Sequence, residues 1–364
     1  MRIFHCDHCG QAIFFENTLC GKCGHKLAYL PDLKIVASLD PAGGRSSEVG
    51  RPTPVLWTSP VARAKGRTYR LCGNYVDHNV CNWAIPAEQP NALCASCELT
   101  RVIPDLTRPE NRELWCRLEI AKRRLVYSLI EINLPPVPKS RNNVGGLEFR
   151  FIGDPPGGPR VLTGHDDGVI TVNIAEADDV ERERTRVSMH EPYRTLLGHF
   201  RHEIGHYYWD LLIKNTPSLG AFRDRFGDEQ GDYNQALQAY YRAGPKPDWQ
   251  QNFVSPYASV HPWEDWAETW AHYLHMIDAL ETAGVCGLSV QPDRPDEPAM
   301  KRPAKRPGET SIDELISEWF ALTYVLNNLN RGMGLPDAYP FVLPAPTIEK
   351  IRFVHNVVLK NRRA

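Results

Sequence analysis

The segment His199-Phe-Arg-His202-Glu203-Ile-Gly-His206-Tyr-Tyr-Trp209 carries residue types and a spacing that suit metal-assisted hydrolysis. In an α-helix, positions i and i+4 lie one above the other on the same face. His202 and His206 can therefore aim imidazole nitrogens at one ion, at roughly 2.0–2.1 Å. Glu203, the next residue, reaches a water held by that ion and can act as its general base. His199 falls near the same face and reads as a cleft wall or an outer partner, because a fourth protein ligand would leave no place for water.

Two histidines leave a catalytic ion short of a third protein ligand, and Tyr257-Ala-Ser-Val-His261-Pro-Trp-Glu264-Asp-Trp-Ala-Glu268-Thr-Trp-Ala-His272-Tyr-Leu-His275 supplies candidates. Helical period puts Glu264, Glu268, His272 and His275 along one side. Glu264 and Glu268, one turn apart, can divide the labour: one binds the ion, and the other accepts the outer N–H of a ligand histidine and sets its tautomer. Spacing alone leaves open which does which. His272 is a weaker alternative ligand, and His165 reads as a turn residue.

The remaining metal chemistry is in the thiols. Cys6-x-x-Cys9 and Cys20-x-x-Cys23 have the spacing of a closed four-thiolate zinc site, with Gly10 and Gly24 placed where each knuckle turns. Cys72, Cys81, Cys94 and Cys97 form a less regular second set, in which His78 could substitute for one cysteine. Cys116 and Cys286 stand alone and read as ordinary thiols.

The elements that must position these residues follow from periodicity. Leu197, Phe200, Ile204, Tyr207, Tyr208 and Leu211 form an apolar stripe roughly opposite the histidines, predicting a helix from about Pro192 to Ile213. Trp115, Leu118, Ala121, Leu125 and Leu129 predict another from Pro109 to about Leu134. Leu147 to Ile152, Val161 to Thr163 and Val169 to Ile174 read as short strands, with Asp166-Asp167-Gly168 as a hairpin turn. Val169 to Ile174 is the expected edge strand for an extended peptide. A polar helix is expected over 176–186 and another over 230–243. Ser311-x-x-Glu314 is a capping box opening a helix that ends near Gly332, and Thr347 is expected to cap a last helix.

Composition excludes little. The 364 residues are 42% hydrophobic and 24% charged, and the net charge of −2 gives no general attraction to nucleic acid or to an acidic membrane surface. Basic runs at 301–306 and 360–363 read as solvated surface. No secretory leader and no membrane span is apparent. Eight clustered thiols suit a reducing compartment, so a cytoplasmic location is expected.

The pairing of H-E-x-x-H with a following E-x-x-A-E resembles the gluzincins, the thermolysin-like class. Glu264-Asp-Trp-Ala-Glu268-Thr-Trp270 further resembles the lethal-factor-like zinc proteases, with Trp266 and Trp270 in place of Phe. That resemblance covers roughly residues 199–275. It implies His202, His206 and Glu264 as ligands, Glu203 as base, Glu268 as outer partner and Tyr257 as hydrogen-bond donor to the oxyanion. Over nearly the whole chain the sequence is similar to a bacterial family of zinc-binding metallopeptidases with an N-terminal zinc ribbon. The similarity rests on Ala121-Lys-Arg-Arg-Leu125, Leu162-Thr-Gly-His-Asp-Asp-Gly168 and Tyr193 to His206.

The expectation is an α+β protein: a mostly helical, zincin-like domain at 106–364 with a small antiparallel sheet. It is preceded by a zinc ribbon at 1–33, a linker at 34–65 and a second four-cysteine module at 66–105. It would carry one catalytic and two structural zinc ions and act on a peptide or protein substrate, with the ribbons recruiting a protein partner. The alternative is a ribbon-based adaptor for protein or nucleic acid whose helical zinc site does not turn over.

Overall fold

A computed structural model of the chain describes residues 2–42, 55–188, 195–300 and 310–362. The basic run at 301–306, part of the expected linker, and positions 192–194 at the expected start of the signature helix lie outside the described residues.

The N-terminal region is built on backbone turns that expose thiols to one another. β1 (Phe4–His5) and β2 (Ala12–Ile13) pair antiparallel around the first knuckle. Gly10 and Gly24 take φ of +71° and +74°, the left-handed conformation in which a Cβ is disfavoured. β3 (Lys26–Leu30), β4 (Ile35–Pro41), β5 (Leu56–Thr58), β6 (Tyr69–Leu71) and β7 (Ala84–Pro86) follow as one antiparallel sheet in chain order. A short helix, α1 (Gly73–Val76), starts directly after Cys72. Within the stretch expected as a linker, residues 35–41 and 56–58 are strands of this sheet, while Cys6 and Cys9 lie in the separate β1–β2 hairpin. The Pro and Gly residues around position 50 hid an apolar run, Ile35 to Leu39, whose partners lie elsewhere in the chain.

The sheet beside the helix that carries His202 and His206 draws its strands from both sides of a long helix in the chain. β8 (Thr100–Val102) precedes α2 (Pro109–Glu131), and β9 (Glu148–Ile152), β10 (Gly164–Asp166) and β11 (Val169–Asn173) follow. Their order is β10-β11-β9-β8. Only β10 and β11 pair antiparallel; β11–β9 and β9–β8 are parallel, so the sheet is mixed, not antiparallel. β11 is internal, and the edge near the helix is β10, which begins after the stretch Val161 to Thr163 expected to be a strand. A two-residue turn dictates the antiparallel hairpin locally, whereas parallel partners are chosen by long crossovers that no local pattern records. β8, expected to lie with the second cysteine module, is part of this sheet.

The helical region continues with α3 (Asp179–Ser188), α4 (Leu196–Leu212), α5 (Leu219–Phe226), α6 (Tyr233–Ala243), α7 (Trp249–Asn252), α8 (Pro262–Val285), α9 (Ile312–Gly332) and α10 (Ala345–Lys360). The Thr195 hydroxyl accepts from Gly198 N (3.0 Å) to start α4, and the His261 ring accepts from Trp263 N (3.2 Å) with Pro262 in the first turn of α8. Ser311 caps α9 as its motif predicts, whereas α10 starts at Ala345, ahead of Thr347. Phe200 and Ile204 of α4 are buried, with Phe149 and Phe151 of β9 against Phe200 at 5.6 and 6.1 Å between ring centres. Leu211, expected in the same stripe, is 44% exposed.

α4 and α8 touch backbone to backbone at Gly205. A Cβ there would sit 2.9 Å from Ala267 Cα. Trp266 Nε1 donates to Gly205 O (2.9 Å), and Trp270 stacks on Tyr208 with ring centres 4.8 Å apart. This contact sets which residues of α8 face the histidines of α4. Among the described residues no helix is long and apolar enough to cross a membrane.

Candidate active site

His202 and His206 point their Nε2 atoms toward one place, 3.2 Å apart. From α8, Glu264 Oε2 lies 2.9 Å from His202 Nε2 and 3.5 Å from His206 Nε2. All three side chains are buried. Glu268 faces the other edge of the same ring: its Oε1 is 2.7 Å from His202 Nδ1, and its Oε2 accepts from Ser255 Oγ at 2.6 Å. Glu264 thus meets the inner nitrogen of His202 and Glu268 the outer one. Tyr233, on α6, donates its hydroxyl to Glu264 Oε1 (2.7 Å).

The donor set fits a zinc ion. With Glu268 accepting the Nδ1–H of His202, the Nε2 lone pair of that ring faces inward. It meets a carboxylate oxygen, Glu264 Oε2, that has no hydrogen-bond partner among the described residues. Ligand atoms about 2.1 Å from a tetrahedral zinc are about 3.4 Å from each other. The three separations here run from 2.9 to 3.5 Å. His206 is held by packing: Trp263 lies over its ring at 3.7 Å between centres, and its Nδ1 has no hydrogen-bond partner among the described residues.

Glu203 stands beside this cluster. Its Oε1 is 3.1 Å from His199 Nε2, and its Oε2, buried, has no partner among the described residues. Burial works to raise the Glu203 pKa, but the hydrogen bond and charge of His199 and the nearby His202 and His206 outweigh it, leaving the carboxylate below its usual value. Burial likewise opposes charge on His199, yet hydrogen bonds to Glu176 and Glu203 hold its pKa at about 9. His199 Nδ1 is 3.4 Å from Glu176 Oε2, so the ring bridges the two carboxylates.

Tyr257 sits in a short turn just before α8, with its ring centre 5.8 Å from that of His202. Burial and the charge of Glu264 push its phenol well above the usual tyrosine range, so it stays a hydrogen-bond donor. His199, His202, Glu203, Tyr233, Tyr257 and Glu268 all line one cleft of about 580 Å³. His272 shares the cleft, but its Nδ1 engages Tyr339 Oη (2.6 Å) and it stands outside the ligand group. His165, expected in a turn, lies in β10, where its Nε2 accepts from Gly168 N (3.0 Å). Tyr233, Ser255 and Glu176 had no motif to reveal them; their only connection to the site is through space.

The thiols gather as two groups, each with all its sulfur atoms within 4.8 Å of one another: Cys6, Cys9, Cys20 and Cys23, and Cys72, Cys81, Cys94 and Cys97. Sulfurs bound at about 2.3 Å to a tetrahedral zinc are about 3.8 Å apart. Cys6–Cys23 and Cys9–Cys20 are 3.6 Å apart and Cys81–Cys94 is 3.8 Å. His78 belongs to neither group, its ring lying against Trp115 at 5.3 Å.

A family model described as "putative zinc-binding metallo-peptidase" matches residues 111–357, and a zinc-ribbon domain model matches residues 3–108. Uncharacterized proteins of Mycobacterium bovis and Mycobacterium tuberculosis are each 44% identical over 359 residues, which is 98% of this chain and 95% of theirs. No solved structure matches the chain.

Proposed function

The chain belongs to the zinc-binding metallopeptidase family whose model spans its helical region, and from that premise we propose that it hydrolyses peptide bonds at the cleft between α4 and α8. The observation that carries this reading is the meeting of His202 Nε2, His206 Nε2 and Glu264 Oε2 beside a carboxylate, Glu203 Oε2, that has no hydrogen-bond partner among the described residues. His202, His206 and Glu264 would hold a catalytic zinc, and the two thiol groups would hold two structural ones. When bound, zinc supplies Lewis-acid polarisation of a carbonyl and acidification of water. Glu203 accepts the proton of the attacking water and returns it to the leaving amine. Its low pKa leaves it ionised and ready to accept. His199 fixes the orientation of that carboxylate through Oε1. Tyr257 donates a hydrogen bond to the oxygen on which charge develops.

The cleft supports a peptide substrate. Leu162, Leu237, Tyr240, Tyr241 and Phe341 give it apolar and aromatic walls. The zinc-ribbon region is read as a device that recruits or presents that substrate, and the clustered thiols fit the reducing cytoplasm. The test is digestion of a peptide library with zinc-loaded protein. Cleavage should vanish on chelation and in Glu203→Gln, which retains its zinc. Metal-dependent cleavage that survives Glu203→Gln would remove Glu203 from the role, and no cleavage by the fully loaded chain would favour the adaptor reading.

A further inference from the structure

A second histidine–carboxylate cluster lies far from the cleft in sequence, on the first thiol module. His8 sits inside the first knuckle, between Cys6 and Cys9; His25 follows the second knuckle; Asp40 is on β4. The two imidazole rings stack with centres 3.6 Å apart and 16° between planes. Their Nε2 atoms face the same carboxylate, His8 Nε2 at 3.2 Å from Asp40 Oδ2 and His25 Nε2 at 3.8 Å from Asp40 Oδ1. One ligand atom from each residue lies within 4.8 Å of the others.

We propose that His8, His25 and Asp40 bind a further divalent transition-metal ion of the zinc class, in a solvent-open and exchangeable site. Three observations support it. The tautomer of His25 is set from behind: its Nδ1 is 3.2 Å from Cys23 Sγ, so an N–H donated to that thiolate leaves the Nε2 lone pair facing Asp40. The carboxylate oxygen at 3.8 Å is also an acceptor, too far away to bond that nitrogen directly and well placed to share a cation with it.

Secondly, the placement is built into the fold. Asp7 Oδ2 accepts from both the N (2.8 Å) and the Oγ (3.1 Å) of Ser38, which clamps the first knuckle onto β4 and brings His8 over Asp40. Thirdly, the side chains are partly open, at 30%, 34% and 42% exposure for His8, His25 and Asp40, which leaves coordination positions to water. Two imidazoles and one carboxylate suit zinc and its first-row neighbours, whereas calcium and magnesium prefer oxygen alone. Through its contact with His25 Nδ1, Cys23 Sγ links this cluster to the first thiol group.

The experiment is zinc titration of the full-length chain against a chromogenic chelator, with metal counting by native mass spectrometry. Wild type should take up one ion more than either His8→Ala or Asp40→Asn. The lost ion should be a readily exchanged one, with affinity reduced beyond the roughly 100-fold that loss of an outer partner costs. Asp40→Asn keeps shape and leaves the thiols untouched, so it decides the matter if His8→Ala also disturbs the knuckle. Equal metal counts and equal titration curves for wild type and Asp40→Asn would overturn the proposal.

Discussion

Replacing Gly205 by Ala adds one methyl group to the signature helix and tests the packing that assembles the site. The new Cβ would sit 2.9 Å from Ala267 Cα, 3.3 Å from Ala267 O and 3.3 Å from Trp270 Cβ. Carbon atoms in comfortable contact are about 3.5–4.0 Å apart, so α4 and α8 must part by roughly 0.6–1.1 Å. Overpacking of this kind costs about 1–3 kcal/mol. The better helix propensity of Ala returns about 1 kcal/mol at most. With that full return the net loss is about 0–2 kcal/mol, a shift of at most a few degrees in unfolding temperature. The larger effect falls on the metal. Glu264 is carried by α8 and the histidines by α4, and ligand positions tolerate only about 0.2 Å of error. Zinc at this site should weaken by a factor of ten or more, while the thiol groups, which do not depend on the α4–α8 contact, keep theirs. Competition with a zinc chelator, followed by metal counting and thermal unfolding, reads both quantities. A Gly205→Ala protein with unchanged unfolding temperature and unchanged affinity would show that the close approach of α4 and α8 is not what positions the ligands.

Four further outcomes are expected. Glu268→Gln should loosen zinc about 10–100-fold by weakening the outer bond to His202 Nδ1 (2.7 Å) without removing a ligand, as read by chelator competition. Tyr257→Phe should lower kcat about 10²–10³-fold with little change in KM or in zinc content, as for loss of one oxyanion donor. Cys94→Ser, in a fully buried thiol group, should remove one tightly held zinc and unfold the N-terminal sheet, seen as a lower metal count and early proteolysis near residues 66–105. His355, packed under α8 with its Nδ1 3.1 Å from Tyr273 Oη, has its pKa pushed down to about 4, first by burial and then by the Arg362 and Arg352 charges. Its folded pKa lies below the unfolded value of about 6.5, so the folded state binds fewer protons and stability should fall as pH drops from about 6.5 toward 4. His355→Asn should flatten the pH dependence of the urea midpoint over that window.

Some of this molecule is legible in its sequence because the information is local. Four-residue spacing puts His202 and His206 on one face of any helix, and Glu203 beside them, whatever the rest of the chain does. A C-x-x-C pair with a following glycine folds its own knuckle, and the capping residue Ser311 starts its helix within a single turn. The mostly helical α+β character follows from such signals.

Tertiary structure alone decided the rest. Glu264 and Glu268 are equivalent in spacing; they differ because Gly205 lets α8 dock on α4 at one axial offset, which turns Glu264 to the inner nitrogen of His202 and Glu268 to the outer. Tyr233, Ser255 and Glu176 come to the site from separate elements, and His8, His25 and Asp40 meet because Asp7 ties a knuckle to a strand. The strands at 35–41 and 56–58, and the parallel pairing of β9 with its neighbours, are choices among distant partners. Short-range periodicity fixes which way a side chain points along its own element. Which other element it points toward is set by packing contacts between residues far apart in the chain, where one methyl group's worth of space at Gly205 is enough to change the answer.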